Sequence, residues 1–382
     1  MSDPAHIPAP FWRADDLAST LLPVAKPRLP RAEKILPYLQ QIDRAQWYSN
    51  GGPLVLEFEE RLASHCGPAD ASHVATVANA TLGLTLALLA LDLPGGALCM
   101  VPSWTFAATG HAILRAGLVP WMVDVNPATW VLEAEAARDL LQDAPGPVAA
   151  VIPVSAFGAP LDLEPWRNFR AETGIAVIAD AAAAFDTVRA TEIPAVVSLH
   201  ATKSCGIGEG GFVVSTDRAF VEEIQKRANF GFWNSRESTA HSFNGKLSEY
   251  GAAVGLASLD EWGETRADFL RVALAYRQCL AEQPSIRLQP GFGEHWVSST
   301  VLLESWASDA DSMTRLLSEN GIGSRRWWGG GLHQHRSFQA YPRHRVAETE
   351  ALARRVVGLP FWRDLPNDAI EKVCTLLLRD LA

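Results

Sequence analysis

Lysine is scarce in this 382-residue chain and stands only at positions 26, 34, 203, 226, 246 and 372. Chemistry that needs a primary amine must draw on that short set. Long runs of one charge sign are also missing, and the formal net charge is -10. Without a basic stripe there is no electrostatic footprint for nucleic acid, so no nucleic-acid partner is expected. A local basic pocket for a phosphorylated ligand is still compatible with that balance. No apolar run approaches the roughly 20 residues that cross a bilayer. The most apolar helical stretch, residues 81–91, ends before Asp92 and Pro94. The opening MSDPAHIPAP lacks the basic-then-apolar order of a secretory leader. A soluble, cytoplasmic protein with no membrane partner is therefore expected. Cysteine is confined to Cys66, Cys99, Cys205, Cys279 and Cys374, with no C-x-x-C pair. An odd, dispersed set reads as reduced thiols and not as a disulfide framework.

What is present is ample apolar material, 48% of residues, enough for a substantial core. Between about residues 70 and 217, short apolar runs alternate with helical patterns. Residues 74–78, 97–102, 119–125, 149–154, 175–179, 196–200 and 212–215 read as strands. Residues 81–91 and 106–116 read as helices, the second stopped by Gly117. Strands apolar throughout and separated by crossover helices predict a mainly parallel sheet covered on both faces, an α/β architecture. Beyond Leu247 the texture changes to long amphipathic helices, clearest over 261–283, with smaller units around 298–306 and 370–381. This predicts a second, smaller α+β domain. The expected division is an N-terminal arm and helix over 1–49 packing with the C-terminal unit, a large domain over 50–250, and a small domain over 251–382. No internal repeat or low-complexity tract interrupts it.

In an open α/β sheet, ligands bind beyond the carboxyl ends of the strands. Four such ends carry suggestive groups. The first strand runs into Asn79-Ala80-Thr81 and then a helix, an arrangement that either caps the helix or offers its unpaired N–H groups to an anion. Asp180 ends the buried run IAVIAD, as a cap for the next helix or as a group lining a site. The run Ser198-Leu199-His200-Ala201-Thr202-Lys203 follows another apolar stretch, where a lone lysine is ordinarily a solvated surface group. Gly206-Ile207-Gly208-Glu209-Gly210-Gly211 leads into a strand and not a helix, which excludes a Rossmann dinucleotide turn.

Together these features occur in the order found in fold-type I enzymes that use pyridoxal 5'-phosphate (PLP). From about Arg31 to Asp364 the chain resembles the DegT/DnrJ/StrS family of nucleotide-sugar aminotransferases. The segments that carry the likeness are YSNGGPLVLEFEE (48–60), VANATLGLTLAL (77–88), VPSWTFAATGHAI (101–113), VIPVSAFGAPLDL (151–163), VIADAAAAFD (177–186), SLHATKSCGIGEGGFVV (198–214) and FNGKLSEYGAAVGL (243–256). The resemblance implies a PLP-dependent transferase with a large, mainly parallel-sheet domain and a smaller C-terminal domain. Lys203 would form the Schiff base with the cofactor and shuttle protons. Asp180 would hold the pyridine nitrogen protonated, so that the ring acts as an electron sink. Phe106, or Trp104 in its place, would lie on the ring face. Asn79, Ala80, Thr81 and Ser198 would form the phosphate site, joined by Asn244 of a neighbouring subunit in a homodimer with shared active sites. The implied reaction moves an amino group from L-glutamate, leaving 2-oxoglutarate, to a nucleotide-linked 3- or 4-keto-6-deoxysugar, as in deoxyamino sugar and polysaccharide biosynthesis.

One position departs from the family, which usually has Gln or His three residues after the aspartate. Here it is Ala183, so that cofactor contact is absent or comes from elsewhere. A dehydratase branch with His in place of the lysine is disfavoured by Lys203. A non-catalytic regulatory role is disfavoured by the intact Asp180, Ser198 and Lys203 set. His333-Gln334-His335 lacks nearby Cys or Asp partners for a metal, and none is expected. The group Arg325, Arg326, Trp327 and Trp328 is a candidate contact for a nucleotide or sugar.

Overall fold

The structure is a computed structural model and describes residues 22–68, 70–281 and 283–381. The first 21 residues of the expected arm lie outside the described part. Helices α1 (Ala32–Ala45) and α2 (Pro53–Cys66) open it, the second with proline at its start, where a missing N–H costs nothing. Then follow β1 (His73–Val77), α3 (Ala80–Ala90), β2 (Leu98–Pro102), α4 (Ala107–Arg115), β3 (Val119–Val123) and α5 (Ala134–Leu140). After these come β4 (Val148–Val151), α6 (Glu164–Thr173), β5 (Ala176–Val177), β6 (Ala179–Asp180), β7 (Ala195–Ser198), β8 (Gly211–Ser215) and α7 (Arg218–Ala228).

Strands β3, β2, β4 and β5 lie side by side and are all parallel, while β6, β7, β8 and β1 form a second set in that order. Backbone bonds from Ile178 N to Val151 O (3.1 Å), Asp180 N to Pro153 O (2.9 Å) and Ser155 N to Asp180 O (2.9 Å) join the two sets. The sheet is mainly parallel, with one strand reversed: β8 runs antiparallel to both β7 and β1. The connection explains it. A parallel neighbour needs a long crossover, usually helical, whereas β7 and β8 are linked by the turn-rich residues 199–210, which allow only a return. The apolar run expected to reach His200 as a strand leaves the sheet at Ser198 for the same reason.

Helix α3 is apolar on all sides because it is enclosed between the sheet, α4 and α7. Gly83 lets it lie that close, since a Cβ there would stand 2.9 Å from Val196 Cγ1. After α7 come α8 (Glu249–Asp260) and α9 (Trp262–Cys279), then β9 (Ile286–Leu288), β10 (Val301–Ser305), α10 (Ala310–Glu319), α11 (Ala347–Arg355), β11 (Val356–Leu359) and α12 (Asn367–Leu381). The last three strands form an antiparallel sheet, β11-β10-β9. Its core unites Phe269, Val272 and Tyr276 of α9, Met313 and Leu317 of α10, and Ile370 and Leu377 of α12.

Helix α1 packs apart from this C-terminal core. Its stripe Ile35, Tyr38, Leu39 and Ile42 packs with Leu54, Phe58 and Leu256, and the Tyr38 hydroxyl donates to Asp260 at 2.8 Å. The segment just before it does reach that unit: Leu22 N bonds Gly321 O, Gly323 N bonds Leu22 O, and Phe361 N bonds Val24 O. Residue 250 falls inside α8, whose Ala252, Ala253 and Leu256 are buried with the large sheet's helices. Among the described residues no helix is long and apolar enough to cross a membrane.

Candidate active site

A cavity of about 580 Å³ opens at the carboxyl ends of the strands and is lined by Asn79, Ala80, Thr81, Phe106, Thr109, Asp180, Ala183, Ser198 and Lys203 among others. That volume suits a small-molecule site, roughly 300–1,000 Å³. One wall is the start of α3. Asn79 Oδ1 accepts the Leu82 amide at 2.9 Å, and the Asn79 carbonyl accepts Gly83 N at 3.0 Å. Asn79 is thus the helix cap. The amides of Ala80 and Thr81 find no partner among the described residues, and both residues line the cavity. They sit at the positive end of the helix dipole, an anion site in the making. Ser198 ends β7, and its Oγ accepts the His200 amide at 3.2 Å. Its own proton is therefore free to be donated. Gly211 backs this cradle: a Cβ there would lie 2.8 Å from Ala80 N and 2.9 Å from Val197 O.

Asp180 is 5% exposed at the end of β6. Its Oδ2 accepts the Thr109 hydroxyl at 2.7 Å, and its Oδ1 accepts the Ala182 amide at 3.1 Å. With its proton so committed, Thr109 Oγ1 accepts from Thr105 Oγ1 at 2.9 Å. Burial raises the Asp180 carboxyl above the usual range, against the pull of those bonds and the Lys203 charge. Lys203 lies in the turn after β7, its amide bonded to His200 O at 2.8 Å. Burial lowers its ammonium pKa, opposed by Asp180. The lowering increases the share of free amine, the form that a nucleophile requires. Beside it, His200 Nδ1 accepts the Thr202 amide at 3.2 Å and turns Nε2 toward Glu209 Oε1 at 3.7 Å.

Phe106 lines the cavity with 59% of its surface exposed. Trp104, the alternative ring partner, is buried and meets Phe157 and Trp328 edge-on, at ring-centroid distances of 6.1 and 5.4 Å. Phe157 and Trp328 stack face to face at 3.7 Å and 19°, and both line the cavity. Phe157 holds this position with left-handed backbone angles, φ 53° and ψ 19°, which cost a non-glycine residue roughly 1–2 kcal/mol. Of the basic-aromatic group, Trp327 and Trp328 reach the cavity while Arg325 and Arg326 do not. Arg326 pairs with Asp311 at 2.6 Å, and Arg325 lies over the Trp327 ring.

Asn244 lies outside the cavity of its own chain, exposed, with its Oδ1 accepting from Lys246 Nζ at 2.8 Å. His333 is buried against Ser103 Oγ at 2.7 Å. Among the described residues no cluster of three or more His, Cys, Asp or Glu side chains could hold a metal. Sequence reasoning missed Thr109, Ser155 and Phe157. Only Thr109 carried a signal, standing one turn into the helix that begins where β2 delivers the chain.

An anion cradle, a buried carboxylate and an amine of lowered pKa around one cavity fit a phosphorylated pyridine aldehyde. The fold and site together define a PLP-dependent aminotransferase. Similarity to known proteins agrees. A putative PLP-dependent aminotransferase of Bacillus cereus shares 28% identity at a TM-score of 0.86, over 93% of this chain and 99% of that one. DesI, solved in the presence of its TDP-sugar product, shares 32% identity at a TM-score of 0.84, over 95% and 93%. The dTDP-4-amino-4,6-dideoxy-D-glucose transaminase of Escherichia coli is 29% identical, over 94% of this chain and 98% of its own. Protein Rv3402c of Mycobacterium tuberculosis is 30% identical over 92% and 88%. The chain belongs to the DegT/DnrJ/EryC1/StrS aminotransferase family, which matches residues 31–378.

Proposed function

We propose that the enzyme transfers an amino group from L-glutamate to the keto carbon of a nucleotide-linked 3- or 4-keto-6-deoxysugar, with Lys203 as the covalent anchor of PLP. One observation carries this reading: a single cavity is lined by Lys203, Asp180 and the helix start at Ala80 and Thr81. The sugar acceptor is supported by the likeness to the Escherichia coli transaminase and to DesI. PLP, when bound, supplies a carbonyl that takes up amines and a ring that accepts electron density. The Ala80 and Thr81 amides and the Ser198 hydroxyl hold its phosphate. The Asp180 carboxylate keeps a proton on the ring nitrogen and is itself steadied by Thr109. Lys203 Nζ, once freed, carries a proton to and from the reacting carbon. Phe106 covers the ring face.

The active unit in this reading is a homodimer in which Asn244 reaches the partner's phosphate site, in keeping with its exposure outside its own cavity. The cytoplasm is the proposed location. All five cysteines are free, and burial pushes the Cys66 and Cys205 thiols up to about 12, so they stay protonated and unreactive. The test is incubation with PLP, glutamate and a panel of dTDP-, UDP- and GDP-linked keto-sugars, reading product mass. Conversion of the keto C=O to CH–NH2, a gain of about one mass unit, with 2-oxoglutarate formed in equal amount, is expected. Turnover of glutamate with no aminated sugar from any panel member would overturn the acceptor assignment.

A further inference from the structure

We propose that the stacked pair Phe157 and Trp328 is the specificity wall of the acceptor, selecting a sugar that turns a deoxygenated, apolar edge toward it. The inference rests on the nucleotide-sugar reading and names the feature of that sugar which the site reads. Three observations carry it. The two rings come from distant parts of the chain, one just beyond β4 and one from the loop between α10 and α11, and meet at 3.7 Å across the cavity wall. The wall is rigid on both sides. Phe157 is held in left-handed backbone at φ 53°, between Ser155, whose carbonyl accepts the Gly158 amide at 3.3 Å, and Ala159, whose carbonyl accepts Ser155 Oγ at 2.5 Å. Trp328 is braced by the edge of buried Trp104.

The chemistry of the lining is uneven as well. The acids of the cavity, Asp180 and Glu209, and the hydroxyls of Ser198, Thr105 and Thr109 belong to the strand ends, turns and helix starts of the large sheet, while Ser299 and Thr300 bring hydroxyls from the C-terminal unit. The stack, with Ala182, Ala183 and Val154 also on the lining, adds apolar surface. A backbone conformation that disfavours any side chain, yet carries the largest apolar one short of tryptophan, marks a position where the ring itself is needed. A hydroxyl pressed against the aromatic carbons that the stack leaves open to the cavity loses its water and gains no partner, whereas a methyl group loses no hydrogen bond. An apolar wall of this kind discriminates against an added hydroxyl by up to about a hundredfold.

The experiment uses the PLP-loaded enzyme and a matched pair of nucleotide-linked keto-sugars that differ only in methyl versus hydroxymethyl at C6. A second readout is calorimetric binding of the corresponding aminosugar products to protein without PLP. Wild type is expected to favour the methyl member at least tenfold in kcat/KM and in affinity. Trp328→Ala should reduce that preference to less than threefold, and Trp328→Phe, which keeps a ring face, should restore most of it. Phe157→Gly, which relieves the left-handed backbone, serves as the second variant, with thermal melting to show that each protein is folded. The wall is overturned if wild type shows no preference between the pair, or if folded Trp328→Ala and Phe157→Gly retain it. Rejection of both sugars by wild type would remove the nucleotide-sugar reading and the wall together, whereas an intact wild-type preference that the variants share removes the wall alone.

Discussion

At the residue scale the site depends on two groups whose ordinary charge states are both disfavoured by burial. Lys203 is lowered and Asp180 raised, and each opposes the shift of the other. Cofactor capture needs the neutral amine, so its rate should rise with pH through the depressed Lys203 pKa and level off earlier than for an ordinary lysine. Lys203→Ala should abolish both steady-state transamination and the visible absorption of lysine-bound cofactor. Near wild-type turnover in that variant would move the assignment to another amine. Asp180→Asn should slow the reaction by about a hundredfold or more, roughly 2.7 kcal/mol in barrier. A loss below tenfold would mean that its bond to the Ala182 amide, a local cap, is its main role. Thr109→Val deletes the hydroxyl donated to Asp180. It should raise the carboxyl further and shift the acid limb of the pH–rate profile upward, with smaller loss than Asp180→Asn.

At the scale of elements, buried acids fasten helices that the sequence leaves only loosely placed. Glu249 on α8 is 1% exposed and accepts the Leu54 and Val55 amides at 2.9 and 3.0 Å. It caps α2 from a distant part of the chain. Glu249→Ala would orphan both amides and should cost about 2–4 kcal/mol in denaturant unfolding. A change under about 0.5 kcal/mol would show that water replaces the cap. Glu59 on α2 accepts the Thr76 amide at 2.7 Å, the Thr76 hydroxyl at 2.8 Å and the Gln225 amide at 3.2 Å, tying α2 to β1 and α7. Burial lifts its carboxyl from 4.5 to about 7. The fold therefore holds the proton more tightly than the unfolded chain does. That contribution is complete below about pH 4.5 and is lost as pH rises through about 7. Stability should fall between pH 5 and 8 by on the order of 2 kcal/mol from this group. Glu59→Gln, neutral throughout and able to pair once Gln225 turns its amide, should flatten that slope. An equal slope in both proteins would assign it to other groups.

At the scale of the whole molecule, the proposed dimer decides whether the phosphate site is complete. Lys203→Ala and Asn244→Ala chains, each inactive alone, should regain activity when mixed and allowed to exchange, because a hybrid dimer holds one site with neither change. At equal mixing about a quarter of the wild-type rate is the ceiling expected from random pairing. Activity sedimenting with a monomer, or no recovery despite demonstrated exchange, would count against the shared site. The same scale decides contacts that the local sequence leaves open. Helix α1 carries an apolar stripe that fits any apolar surface of matching width, and nothing in its residues says that α8 is the surface it meets. Residues 22–24 join the C-terminal unit through backbone bonds to Gly321, Gly323 and Phe361, which leave no mark on residue choice, and through Leu22, one apolar residue packed on its core.

The strands with apolar residues on both faces, the helices that cross between them and the turn carrying Lys203 were legible in the sequence, because burial on two faces and a chain reversal each demand particular residue types in order. Asp180, Ser198 and the start of α3 could be named for the same reason: a strand end in a parallel sheet is a fixed address, and a polar group there is conspicuous. The reversal of β8 was not named, although the glycine-rich turn before it was, since strand direction depends on what the connection can span. Thr109 and Phe157 became visible only in three dimensions. Thr109 is an ordinary helix residue until the sheet brings Asp180 within 2.7 Å of it. Phe157 is an ordinary aromatic until Trp328, from the loop between α10 and α11, stacks on it. Local order along the chain dictates which residues can form an element and where it must end. Partners separated by many residues are chosen by the packing of whole elements, and that choice is a property of the folded surface that no short segment contains.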